Sequence, residues 1–205
     1  VVRLHVDWTV VTYTERIVNV ILRAALRAIC RMDTAALRSI PRRGPIILMA
    51  NHTSNIEGPV FYLFIQPRPA TALGKQELWE NPITRFFMKT WGVIPVARGQ
   101  VDRSALKAAI RALDEGKLLG IAPEGTRSRD GALRRAQPGI ALLATMRRVP
   151  VYPVVQWGFH NLGRNLKRLR RTRVTIRAGR PFVVNETAGT RPGSGELRAI
   201  TDEMM

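Results

Sequence analysis

His52 and Glu57 stand five positions apart in 51-NHTSNIEGP-59, directly after the apolar run 46-IILMA-50, in a chain with only three histidines. On a regular helix, residues five apart are rotated roughly 140° from one another and do not meet. A metal pair on one helix face needs a spacing of four, so this spacing is not that of a helical metal site. The intervening 53-TSNI-56 begins with turn- and cap-forming residues. If His52 closes a strand and Glu57 falls in the first turn of a helix, the carboxylate can swing back to the imidazole. A carboxylate on one ring nitrogen fixes the tautomer and leaves the other nitrogen as a general base.

Three further stretches carry polar groups at the ends of apolar runs. In 120-GIAPEGTRSRDG-131 a strand-like run enters Glu124, Gly125, Thr126 and Arg127, which offer close backbone approach, hydroxyls and guanidinium groups. That composition suits a phosphate cradle better than a core element. The stretch 92-GVIPVARG-99 ends a short apolar run on Arg98, and 149-VPVYPVVQWG-158 is a proline-broken apolar strand that reads as core.

The elements that would position these residues alternate. Strands are expected at 46–50, 70–74, 93–97, 118–122, 151–155 and 173–178, and helices near 16–32, 59–66, 81–90, 103–115, 138–147 and 195–204. Leu106, Ala109, Ile110 and Leu113 follow the i, i+3, i+4, i+7 pattern and Gly116 ends that run. Alternation with short connections predicts an α/β domain with a largely parallel mixed sheet flanked by helices. Ligands of such sheets gather at the carboxyl ends of the strands, which puts His52, Arg98 and Glu124 on one rim.

The chain has 205 residues, 45% of them hydrophobic, enough for one well-packed domain. Its single cysteine, Cys30, rules out an internal disulfide and a cysteine-based zinc cluster, and favours a reducing compartment. The net charge of +18 seeks polyanions: nucleic acid, phosphorylated metabolites or an anionic membrane face. A nucleic-acid reading lacks an aromatic-interleaved basic face and leaves the His52 stretch unexplained. No apolar run reaches roughly 18 residues, so none spans a bilayer. Val1 and the helix-like run 196-ELRAITDEMM-205 give both ends the look of trimmed termini.

Residues 1–40 are expected to form an N-terminal amphipathic helical segment, with the catalytic domain at 41–205. Arg16, Arg23, Arg27 and Arg31 make one basic stripe on a helix otherwise rich in Ile, Val, Leu and Ala, a pattern suited to a membrane interface. The basic run 163-GRNLKRLRRTRV-174, with Lys167, Arg168, Arg170 and Arg171, is a second candidate for contact with anionic headgroups.

Taken together, NH-x4-acid, Gly-x5-Arg, Glu-Gly-Thr-Arg-Ser and Val-Pro-x2-Pro-Val, in this order over residues 35–185, resemble the glycerolipid acyltransferases. The likeness is strongest to the bacterial lysophosphatidic acid acyltransferases. The resemblance implies a fold like that of glycerol-3-phosphate acyltransferase. It also implies roles: His52 as general base and Glu57 as its acidic partner, a position ordinarily held by aspartate. Arg98, Glu124, Gly125, Thr126 and Arg127 would bind the acceptor's phosphate, and Lys75 in 74-GKQEL-78 would add a cation. Pro150 and Pro153 would shape the acyl-donor side. Two positions depart from the family pattern. Glu57 adds a methylene, so it must fold back or approach from a shifted backbone, and 94-IPVAR-98 lacks a common aromatic.

The expected reaction moves a fatty acyl group from a thioester of coenzyme A or acyl carrier protein to 1-acylglycerol-3-phosphate. It passes directly to the hydroxyl, because Ser54 has no nucleophile-elbow context. No metal or cofactor is expected. Glycerol-3-phosphate or another lysophospholipid is the alternative acceptor, and an inactive lipid-binding relative is the alternative of a different class. The expected location is the cytoplasmic face of the cell membrane, held peripherally.

Overall fold

The run 46-IILMA-50 is β2 (Ile46–Ala50), buried at every position. A strand apolar on both faces needs cover on both, the condition of a central parallel strand. The computed structural model of the chain describes residues 13–97, 102–128, 132–184 and 193–205, with only the backbone of Thr14. Before β2 come α1 (Tyr13–Ile29) and β1 (Cys30–Asp33). After it follow α2 (Glu57–Ile65), β3 (Ala70–Lys75), α3 (Pro82–Thr90), β4 (Ile94–Val96), α4 (Arg103–Asp114) and β5 (Leu118–Ile121). The rest are α5 (Gly139–Arg147), β6 (Val151–Trp157), α6 (Leu162–Lys167), β7 (Thr172–Ala178) and α7 (Ser194–Glu203).

The described strands form one seven-stranded sheet in the order β1-β7-β6-β2-β5-β3-β4. β6, β2, β5, β3 and β4 run parallel, β7 is antiparallel to β6, and β1 is parallel to β7. Apolar side chains pack on both faces. On one, Leu48, Val154 and Ile176 meet Val60 and Leu63 of α2 and the nearby Trp91. On the other, Ile47, Leu119 and Val151 meet Ala109 and Leu113 of α4 and Ile140 and Ala144 of α5. Each fully buried aliphatic side chain here contributes roughly 1.5–3 kcal/mol.

α4 starts where Asp102 accepts hydrogen bonds from the amides of Ser104 (3.0 Å) and Ala105 (2.9 Å). It ends at Gly116, whose φ of +75° is the left-handed turn that glycine adopts most easily. Asp102 also accepts from the Ala97 amide at 2.9 Å, tying the end of the β4 segment to the start of α4.

Two expectations at the amino-terminal end are corrected. The helix expected over 16–32 stops at Ile29, and Cys30–Asp33 is a strand paired with β7 from Cys30↔Thr172 to Asp33↔Thr175. The boundary at residue 40 disappears as well. β1 belongs to the sheet, and α1 is bonded to the body of the domain through Glu15 to Tyr62 (2.6 Å) and Asn19 to Trp91 (3.1 Å). The described part of 1–40 is therefore an integral edge of one domain.

Candidate active site

His52 follows β2 by two residues, and Glu57 is the first residue of α2. The turn between them closes on itself: His52 Nδ1 lies 2.8 Å from Glu57 Oε2. The Thr53 amide donates to both carboxylate oxygens, at 2.9 and 3.0 Å, and the Thr53 hydroxyl donates to Oε1 at 2.6 Å. The extra methylene of glutamate is accommodated by this fold-back. Glu57 is 2% exposed while the His52 side chain is 22% exposed, so the carboxylate is sealed and the imidazole is reachable. A carboxylate can only accept, so Nδ1 carries a hydrogen towards it, and in the neutral imidazole Nε2 is then the nitrogen with the free lone pair.

A further group from another strand completes the arrangement. Gln156 of β6, 1% exposed, donates its amide to Glu57 Oε1 and to the Thr53 hydroxyl (3.0 Å). Asn51 extends the β2–β6 pairing with its side chain, accepting from the Gln156 amide (2.9 Å) and donating to its carbonyl (3.0 Å). The sequence reading did not single out Gln156. The available signal was a lone amide at the end of a strand otherwise read as core.

The main chain of His52 is gripped from the neighbouring β5 rim. Its N–H donates to Glu124 Oε1 at 3.0 Å, and its C=O accepts from the Ser128 amide at 2.8 Å. The other Glu124 oxygen accepts from the Arg134 amide at 3.2 Å. Glu124 was expected to bind phosphate; instead it is buried, with one side-chain oxygen taken by the His52 amide and the other by the Arg134 amide. Gly125, Thr126 and Arg127 are exposed on the same loop, with φ of +66° at Gly125. Arg127 is one peptide bond from the Ser128 amide that holds His52, and it makes no hydrogen bond or ion pair to another described residue.

Lys75 ends β3 in register with Val96 of β4. β3 lies two strands from β2, so Lys75 stands about 10 Å across the rim from the His52 strand. Arg98 lies outside the described residues; it follows Val96, whose strand ends on this rim. Asp102 beside that segment is held low, to about pKa 2, chiefly by the Ala97 amide and the Ser104 hydroxyl.

Pro150 and Pro153 do not join the rim. Pro150 precedes β6 at its amino-terminal end, where its carbonyl accepts from Ile47 at 3.0 Å. Pro153 is mid-strand opposite Met49. Pro150 thus lies at the end of β6 away from His52, and Pro153 one residue before Val154, the partner of Ala50.

The arginine stripe of α1 is also rearranged. Arg16 is exposed, but Arg23 is half-buried, Arg27 lies over the Phe64 ring at 5.5 Å, and Arg31 is on β1. What α1 turns inward is polar as well as apolar: Glu15, Asn19 and Leu26 are buried. What it turns outward is an apolar patch beside Arg16, with Tyr13, Ile17, Val20 and Ile21 well exposed. Burial and the Glu15 contact together raise the pKa of Tyr62. Of the second basic run, Lys167, Arg168 and Arg170 are exposed, whereas Arg171 donates to the carbonyls of Arg27 and Cys30 (2.9 Å).

The rim thus carries a reachable imidazole, a sealed carboxylate behind it, and cations at the end of β3 and on the loop after β5, an arrangement chemically able to activate a hydroxyl beside an anionic group. The Acyltransferase family model matches residues 31–157, and the chain belongs to that family. It is 32% identical over 126 residues to a 1-acyl-sn-glycerol-3-phosphate acyltransferase of Borreliella burgdorferi, covering 60% of this chain and 50% of that one. A Bacillus subtilis protein of the same name is 27% identical over 167 residues, covering 81% of this chain and 80% of its own. In fold the chain is similar to the 1-acyl-sn-glycerophosphate (LPA) acyltransferase PlsC from Thermotoga maritima. The TM-score is 0.66 at 24% identity, over 92% of this chain and 75% of that one. The chain therefore spans half of one curated relative and four fifths of the other.

Proposed function

We propose that this protein acylates the free hydroxyl of 1-acylglycerol-3-phosphate with a fatty acyl group from a thioester, giving phosphatidic acid. The observation that carries the reading is the contact of His52 Nδ1 with the buried Glu57 at 2.8 Å, on a rim that also carries Lys75 and Arg127. The names of the two curated relatives point to the same acceptor.

In this reading His52 Nε2 takes the proton from the acceptor hydroxyl while its oxygen bonds to the thioester carbonyl carbon. The tetrahedral adduct then collapses, the carbon–sulfur bond breaks, and the leaving thiolate takes the proton from His52. The ester and the free thiol account for all atoms, and no acyl-enzyme is formed. Glu57 keeps the imidazole in the right tautomer and offsets the charge it acquires. Lys75 and Arg127, with Arg98 on the adjoining segment, hold the acceptor phosphate, and the fork of Arg127 suits two phosphate oxygens. Coenzyme A and acyl carrier protein are both compatible carriers of the thioester.

Among the described residues no helix is long and apolar enough to cross a membrane. We read the protein as peripheral on the cytoplasmic membrane face, seated through the exposed apolar side of α1 rather than through an arginine stripe. To test the reaction, purified protein is incubated with palmitoyl and oleoyl thioesters of either carrier and with phosphorylated and unphosphorylated acceptors. His52→Ala is the control. Transfer to lysophosphatidic acid that disappears in His52→Ala is expected. Equal transfer by the variant removes the mechanism, and transfer only to acceptors lacking phosphate removes the cation seat.

A further inference from the structure

The turn that ends α6 places leucine where helix ends usually place glycine. The Arg170 amide donates to the Asn165 carbonyl (2.9 Å) and the Leu169 amide to the Leu166 carbonyl (3.0 Å), the pattern of a Schellman cap. The left-handed residue in that cap is Leu169, with φ of +52°. A branched side chain is disfavoured there by its Cβ, and glycine is not. Leu169 is nevertheless 95% exposed, and Leu166 beside it is 52% exposed. A side chain that both opposes its backbone conformation and lies in water contributes nothing to the stability of this fold.

The turn is firmly mounted. Asn165 donates to the Thr172 hydroxyl at 3.1 Å, and Arg171 bonds the carbonyls of Arg27 and Cys30. Leu169 is thus tied to the end of α1, whose exposed side is Ile17, Val20 and Ile21. Its neighbours Lys167, Arg168 and Arg170 are exposed, and from Gly158 to Val184 the chain has eight Lys/Arg and no Asp or Glu. Between α1 and β7 lies a cavity of about 520 Å³ lined by Phe64, by Arg27, Arg31, Arg171, Arg173 and Arg177, and by one carboxylate, Asp33, which pairs with Arg177 at 2.6 Å. Arg31 and Arg173 are direct cross-strand partners there, a like-charge pairing that the single carboxylate of Asp33, shared with Arg177, offsets only in part and that a bound anion would relieve further.

We propose that this edge is a lipid-docking surface: Leu166 and Leu169 enter the acyl layer of a bilayer, and the Arg31–Arg173 cavity receives the phosphate of an anionic headgroup. An apolar tip ringed by cations matches an anionic bilayer in both chemistries. An acidic protein or a nucleic acid would engage the cations and leave Leu169 in water. The surface rests on the peripheral-membrane reading above and adds to it a second contact that fixes orientation.

The test compares binding of the full chain to phosphatidylcholine vesicles with and without phosphatidylglycerol. Leu169→Gly is the decisive variant, because it relieves the left-handed strain: its thermal midpoint should equal or exceed that of the parent. With Leu166→Ser added, binding to the anionic vesicles should fall about 10-fold or more. Arg31→Gln with Arg173→Gln should abolish the preference for phosphatidylglycerol. Unchanged vesicle binding by the leucine variants overturns the proposal, as does a retained lipid preference in the arginine pair. Transfer to a short-chain acceptor dissolved as monomers should match the parent in every variant; if it falls with vesicle binding, these residues serve the reaction instead. Should the parent transfer no acyl group while the binding differences persist, the enzymatic reading fails and the docking surface stands.

Discussion

The two halves of the rim are built in opposite ways. On the β2–β6 side, the Glu57 carboxylate is held by His52, by the amide and hydroxyl of Thr53, and by Gln156, and is sealed from water. On the β5–β3 side, Arg127 is exposed and bonded to no other described residue. In the proposed reaction His52 must hold one tautomer and one angle throughout, so rigidity serves it. A guanidinium that recruits a phosphate can be ordered by the phosphate itself, at an entropic cost that lowers affinity without touching the chemistry.

Removing the base should break the contrast outright. His52→Ala is expected to lower kcat by about 10³-fold or more at unchanged KM for the acceptor, measured by steady-state transfer. Arg127→Ala should do the reverse, raising the acceptor KM about 10- to 100-fold with a smaller change in kcat. An equal loss in kcat would mean that Arg127 acts on the chemical step and that the two halves are not distinct.

A smaller effect sharpens the rigid half. Gln156→Leu should lower kcat about 10-fold and move its pH profile, because Glu57 loses a donor that helps orient it. The same change in a Glu57→Asp background should matter less, since the shorter carboxylate withdraws from the amide. Additive losses in the double variant would show that Gln156 does not act through Glu57.

The smallest expected effect concerns the segment leading to Arg98. Asp102 has a folded pKa lowered from 3.8 to about 2, so its contribution to stability is present above pH 3.8 and is lost as pH falls toward 2. Asp102→Asn should melt below the parent at neutral pH, with the gap narrowing below pH 4. A gap that widens in acid would reverse the assignment.

The His52–Glu57 turn was legible because it is local: a strand end, cap-forming residues and a helix start lie within 51-NHTSNIEGP-59. The six strands read from apolar runs were legible because both of their faces, or one, meet helices. β1 was not, since Arg31 and Asp33 are exposed and 30-CRMD-33 continues the periodicity of the helix before it. The orientation of α1 was hidden for another reason. Its buried Glu15 and Asn19 find Tyr62 and Trp91 across 47 and 72 residues, so a helix that looked basic-out also turns Ile17, Val20 and Ile21 outward. Glu124 was misjudged by the company it keeps. Arginine and glycine beside it suggest phosphate, whereas its partner is the backbone of His52.

The pairing of β1 with β7 also sets an order of assembly. Arg171 meets the Cys30 carbonyl across 141 residues, so this edge cannot close on a growing chain until almost all of the sheet has been made. At bacterial and eukaryotic elongation rates that delay is roughly 7–30 s. Throughout it, the newly made α1 has no β7 beside its end and shows water the apolar patch of Ile17, Val20 and Ile21. A ribosome working next to a lipid surface would give that helix a place to wait, and a chain cut short before β7 would leave its first helix unmoored.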